Sequence, residues 1–140
     1  GLPVSMGSEA CAAAFQALNI KRLGVVTPYQ PVGDRNVVRF FEESGFEVRR
    51  IKGLKCESPV KIAHVGEAQL RDALLEVDGD DIDGIIQVGT NLAMARLAAS
   101  AEIWLKRPVV AINTAIYWHA LRESGITDRV PGFGSLLEKH

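Results

Sequence analysis

Several stretches of this sequence bring together residue types that can bind a small anion. In the stretch IIQVGTNLAMARLAA, branched apolar residues run into Gly89-Thr90-Asn91, and a small-residue helical pattern follows. Parallel α/β proteins build their sites at strand-to-helix turns of this kind. Gly89 permits a tight turn and a close backbone approach. The N–H groups of Thr90 and Asn91 are expected to point outward at the positive end of the next helix, where carboxylates and phosphates bind. The same residue types also serve as plain helix caps. The turn itself holds no nucleophile, no carboxylate and no histidine.

Three further turns are candidates. Thr27-Pro28-Tyr29-Gln30-Pro31 offers the Tyr29 phenol as a hydrogen-bond donor. Asn113-Thr114 offers the Thr114 hydroxyl. The segment from Gly53 to Pro59 carries Cys56 between Lys55 and Glu57, which suits an exposed thiol without a role. Cys11 shares a helical face with Phe15 and Leu18 and fits a small core residue. His64 precedes a helix and reads as solvated, and His119, beside Trp118, reads as a packed or surface histidine. Asp78, Asp80, Asp81 and Asp83 lack the spacing of a calcium loop and read as a solvated turn. The two cysteines make no zinc spacing. Neither G-x-x-x-x-G-K-[ST] nor G-x-G-x-x-G occurs, and no strand ends in an aspartate suited to a phosphoacceptor.

The elements that must hold these turns follow from periodicity. Cys11, Ala14, Phe15 and Leu18 form one helical face in a helix over Ser8–Leu18, with Asn19 as its stop. RLGVVT (22–27) is a short apolar strand ended by Pro28. Asp34 is the expected N-cap of a helix with Val37, Phe40 and Phe41 on its apolar stripe and Gly45 at its stop. FEVRRIKGL (46–54) alternates as a half-exposed strand. GEAQLRDALLEV (66–77) is a helix with Leu70, Ala73, Leu74 and Val77 on one side. DIDGIIQV (81–88) is a strand buried on both faces, NLAMARLAASAEIWL (91–105) a helix, PVVAIN (108–113) a strand and TAIYWHALRESGI (114–126) a helix. The tail PGFGSLLEKH is expected to form a last helical turn that packs back.

Helices alternating with short apolar strands demand crossover connections and a parallel sheet. The predicted fold is therefore α/β: an open, doubly wound, flavodoxin-like parallel sheet of four strands in one domain over residues 1–140. That length can bury a real core. A formal net charge of −1 argues against an electrostatic nucleic-acid or membrane surface. The apolar stretches are too short for a membrane span, and no secretion signal is visible. Two cysteines without a disulfide framework point to a reducing cytoplasm. The opening GLPVSMGSEA has no initiator methionine, which fits a tag remnant or a piece of a longer protein.

Taken together, RLGVVTPYQ, DGIIQVGTNLAMARLAA, KRPVVAINTAIYWHALRESGI and VPGFGSLLEKH resemble the aspartate/glutamate racemase superfamily, in its maleate cis-trans isomerase and arylmalonate decarboxylase branch. The resemblance implies two similar α/β halves with the active site between them, and it makes this chain the C-terminal half. It implies chemistry without metal or organic cofactor, performed by cysteine thiols. The second-half cysteine of such enzymes stands in a Cys-Thr-Asn or related turn after the third strand. Here Gly89 occupies that position, with Thr90 and Asn91 retained, so no catalytic residue is assigned on this side.

Tyr29 matches the tyrosine after Thr-Pro that contacts substrate in the isomerase branch. The expected site is then Tyr29, Gly89, Thr90 and Asn91 on a carboxylate, with Thr114 as a further contact. The expected function is that of a cofactor-independent isomerase or racemase on a small carboxylic acid, inactive as this piece alone. The alternatives are a decarboxylase of a malonate-type acid and a non-catalytic carboxylate-binding relative that has lost its second thiol. A stand-alone flavodoxin-like domain that dimerises is a third. A homo-oligomer is expected, since an exposed cleft face rarely stays free.

Overall fold

The computed structural model describes residues 2–140. In chain order the elements are α1 (Leu2–Leu18), β1 (Arg22–Thr27), α2 (Pro31–Glu43), β2 (Glu47–Gly53), α3 (Pro59–Ala63), α4 (Glu67–Val77), β3 (Gly84–Gln87), α5 (Ala95–Leu105), β4 (Val109–Ala111), α6 (Ile112–Glu123) and α7 (Ser135–Lys139). The four strands form one sheet in the order β2-β1-β3-β4. Every pairing is parallel. This is the open α/β sheet that the alternation of helices and apolar strands requires.

Burial explains the strand types. β3 and β4 are buried along their whole length, and β1 is buried beyond Arg22. β2 lies at the edge and alternates between exposed and half-buried positions at its start. One core layer packs Phe15, Phe41, Trp118, Leu136 and Leu137 against Leu23, Val25, Ile86 and Val110. The opposite layer packs Leu70, Leu74, Leu97 and Ala101 against Val26, Ile85 and Val109. Phe15 meets Phe41 at 5.6 Å and Phe46 at 4.9 Å between ring centroids. Truncating this fully buried ring to alanine would cost about 3–5 kcal/mol.

Several boundaries differ from the sequence expectation. α2 begins at Pro31, so Asp34 stands in its first turn rather than at its cap. Proline is pre-shaped for the first helical position, and the carboxylate suits the positive helix end. Phe40 stays exposed, while Phe41 alone of that stripe is fully buried. The helix after β3 starts at Ala95, not Asn91, because buried Leu92 and Met94 turn the chain inward first. α6 starts directly after β4, at Ile112. The short α3 was not anticipated; the Ser58 side chain caps it by accepting from the Lys61 N–H at 3.2 Å.

The tail packs back as expected, with Leu136 and Leu137 buried. Glu102 holds it in place. Its carboxylate accepts from the Ser135 N–H (2.7 Å), the Ser135 hydroxyl (2.8 Å) and the Val109 N–H (3.1 Å). At the amino end of the sheet the aspartate cluster does more than solvate a turn. Asp83 accepts from the Lys21 and Arg22 N–H groups and from the Arg22 guanidinium, while Asp81 pairs with Arg49 and Arg50.

Candidate functional site

The strand order reverses between β1 and β3. From β1 the chain continues outward to β2, and from β3 it continues the other way to β4. The carboxyl ends of β1 and β3 therefore open a crevice, the place where open α/β sheets bind ligands. Register pairs Val26 with Gln87, which sets the turn after Thr27 beside the turn after Gln87.

The β1 turn is pinned from below. The Thr27 hydroxyl donates to the Asp34 carboxylate and accepts from the Tyr29 N–H. The carbonyls of Thr27, Pro28 and Tyr29 accept from the N–H groups of Leu54, Cys56 and Lys55. The segment after β2 thus supports the Tyr29 turn rather than forming a site of its own. Gly33, on the first turn of α2, leaves room for tyrosine: a Cβ there would stand 2.7 Å from the Tyr29 Cβ. Burial pushes the Tyr29 phenol above its ordinary pKa, so it is a neutral donor near pH 7.

The β3 turn is pinned by side-chain amides. Gln87 is fully buried. Its Nε2 donates to the Val88 carbonyl at 2.7 Å and to the Gly89 carbonyl at 2.9 Å. The Asn113 Nδ2 donates to the Thr90 carbonyl at 3.0 Å, and the Leu92 N–H closes the turn on the Gly89 carbonyl at 3.1 Å. Among the described residues, no hydrogen bond has the N–H of Gly89, Thr90 or Asn91 as its donor. Thr90 and Asn91 are exposed. These N–H groups belong to a turn preceding α5 and not to the helix end itself, which corrects the helix-dipole reading of the sequence.

Gly89 has φ +95°, in the left-handed region that glycine tolerates. A Cβ at Gly89 would lie 3.8 Å from the Tyr29 hydroxyl, so the two turns meet at this point. Thr114 is less directly placed. It is the third residue of α6 and buried, lining a small cavity with Ala95, Tyr117 and Phe133. Its neighbour Asn113 makes the contact to the turn. Next to Tyr29 an apolar cavity of about 380 Å³ is lined by Val37, Phe40, Val88 and Cys11. Burial pushes the Cys11 thiol up to about 12, which keeps it a thiol rather than a thiolate.

The other titratable candidates lie apart from this crevice. His64 is the exposed cap residue ending α3. His119 is half-buried on α6, its Nε2 3.4 Å from Glu123 Oε1. Cys56 is half-buried and unpaired. Among the described residues no group of His, Cys, Asp and Glu is placed to hold a metal ion. No described helix is long and apolar enough to cross a membrane.

Residues 1–137 match the family model described as arylmalonate decarboxylase. The chain belongs to the arylmalonate decarboxylase family. Within that family it is 27% identical over 137 residues to a maleate isomerase of Pseudomonas putida, covering 96% of this chain and 54% of that protein. A maleate isomerase of Nocardia farcinica is 26% identical, over 97% of this chain and 55% of its own length.

Solved structures agree. The N. farcinica maleate cis-trans isomerase bound to TRIS superposes with a TM-score of 0.90 at 25% identity, over 93% of this chain and 53% of that one. An arylmalonate decarboxylase superposes at 0.87 and 25% identity, over 96% and 60%. The chain thus spans about half the length of the curated relatives it matches.

Sequence reasoning did not single out Gln87 or Gly33, and it named Asn113 only as part of the Asn113-Thr114 turn, with Thr114 as the expected contact. One signal was visible, a lone amide in the otherwise apolar strand IIQV. The contact from Asn113 to the Thr90 carbonyl carried none, since it depends on β4 lying beside β3.

Proposed function

We propose that this chain is the C-terminal half of a cofactor-independent isomerase-type enzyme, and that it grips one carboxylate of a small carboxylic acid. One observation carries the reading. The carbonyls of Val88, Gly89 and Thr90 are tied to the side-chain amides of Gln87 and Asn113, while the N–H groups of Gly89, Thr90 and Asn91 have no acceptor among the described residues. Such a row of N–H groups beside the Tyr29 hydroxyl suits an anion. Thr114, buried one residue on from Asn113, stays a weaker candidate contact. The maleate isomerases among its relatives support a small dicarboxylate as the substrate class.

Among the described residues no thiolate stands at the Gly89 turn to attack a double bond or take a proton from carbon. Gly89 has no side chain, and Cys11 is buried and held protonated. The chemistry then belongs to a cysteine on the other half, and these 140 residues alone turn over nothing. A non-catalytic carboxylate binder is a second reading, favoured by the Pro28 ring standing where a Gly89 side chain would grow. Two free thiols suit a reducing cytoplasm. Exposed Val32, Ile103 and Tyr117 suit a homo-oligomer.

Titrating maleate into the ¹⁵N-labelled chain tests the reading. The expected result is saturable shifts of the Gly89, Thr90 and Asn91 amides, with none from chloride at equal ionic strength. Shifts scattered over the surface, or none at all, would overturn it. Reading the coding sequence upstream then separates the enzyme from the binder: a cysteine-bearing first half supports the former.

A further inference from the structure

We propose that Gln87, seconded by Asn113, is the positioning residue that aims the amides of the Gly89 turn at a ligand; this rests on the carboxylate reading above. Each peptide unit is planar and trans, so its N–H points opposite to its C=O. The Val88 carbonyl and the Gly89 N–H share one plane, the Gly89 carbonyl and the Thr90 N–H the next, and the Thr90 carbonyl and the Asn91 N–H the third. Gln87 Nε2 holds the first two carbonyls at 2.7 and 2.9 Å. Asn113 Nδ2 holds the third at 3.0 Å. Three consecutive N–H groups are thereby turned away from the two amides that hold their planes.

Packing does not account for Gln87. Its chain neighbours Ile85, Ile86 and Val88 are all buried. Its own side chain is fully buried, and its Oε1 has no hydrogen-bond partner among the described residues. A buried orphan acceptor is unfavourable, and an apolar side chain of the same size would avoid it. The amide orientation follows from its two carbonyl partners, since only the nitrogen can donate to them. The role of Gln87 is therefore geometric: two donors on one rigid amide fix two adjacent peptide planes.

The test uses the ¹⁵N-labelled 140-residue chain with Gln87→Met, which keeps length and loses both donors, and Asn113→Ala at an exposed position. Maleate and malonate are the probes. Gln87→Met is expected to keep the fold, shift the ligand-free Gly89 and Thr90 amide signals, and weaken probe binding about tenfold, as loss of two ordinary hydrogen bonds implies. Asn113→Ala is expected to shift Asn91 chiefly and weaken binding about threefold.

Unchanged amide signals with parental affinity in both variants would overturn the proposal. If Gln87→Met fails to fold, Asn113→Ala decides on the same two readouts. If the parent chain binds neither probe, the carboxylate reading fails. The positioning claim is then judged on the ligand-free signals: shifts confined to Gly89–Asn91 uphold it, and none refute it.

Discussion

A Cβ placed on Gly89 would stand 2.6 Å from Cγ and 2.7 Å from Cδ of Pro28. The proline ring after β1 thus fills the space into which a side chain after β3 would grow. Together with φ +95° at Gly89, this makes the tolerance for a side chain at 89 depend on two positions rather than one. It also sets what introducing a thiol at position 89 requires.

Gly89→Cys alone is expected to destabilise the chain by about 2 kcal/mol or more, from left-handed backbone strain and the clash with the ring. Pro28→Ala should relieve part of that cost. A double-mutant cycle by thermal or urea unfolding measures it, and the expected sign is a favourable coupling between the two changes. Strict additivity would show that the ring is not the obstacle.

Tyr29→Phe is expected to weaken maleate binding by about three- to tenfold, as for one ordinary hydrogen bond. Stability near pH 7 should barely change, because the ring stays in place. Burial holds the folded phenol above its unfolded pKa. Its contribution is therefore full below about pH 10, the unfolded value, and is lost as pH rises through the higher folded value. Unfolding curves of parent and variant taken from pH 8 to 11 check the sign: the parent alone should lose stability at the alkaline end from this group.

The two thiols should differ in reactivity. Cys11 is buried with its pKa pushed up to about 12, whereas Cys56 is half-buried in the turn after β2. Iodoacetamide at pH 8 should modify Cys56 in the folded chain and reach Cys11 only on unfolding, since the thiolate is the reacting form. Peptide mass mapping with and without urea reads the outcome.

Asp83 should make the fold acid-sensitive. The Arg22 guanidinium, then the Arg22 and Lys21 N–H groups, hold its pKa at about 2. A depressed folded pKa gives stability that is present above the unfolded value, about 3.9, and is lost as pH falls through the folded one. Asp83→Asn should lower Tm by a few degrees at pH 7. The gap between parent and variant should close between pH 4 and 2. A gap that persists at pH 2 would point to shape rather than charge.

What the sequence determined by itself was the architecture and the end of the sheet at which the candidate turns gather. Apolar strands such as GIIQ and VVA cannot be solvated on either face, so they required helices on both sides and a parallel sheet. Tyr29, Gly89, Thr90 and Asn91 follow the strands that became β1 and β3, so their place at one end of the sheet followed from chain order. What tertiary structure alone decided was how the turns are held. That β1 and β3 are neighbours, that Pro28 covers Gly89, and that Asn113 rather than Thr114 reaches the turn all depend on strand order and register. The helix starts at Pro31 and Ala95 were likewise set by packing, as buried Leu92 and Met94 delayed α5. Periodicity along a chain reports which faces are buried; it carries no information on which carbonyl a distant amide will meet.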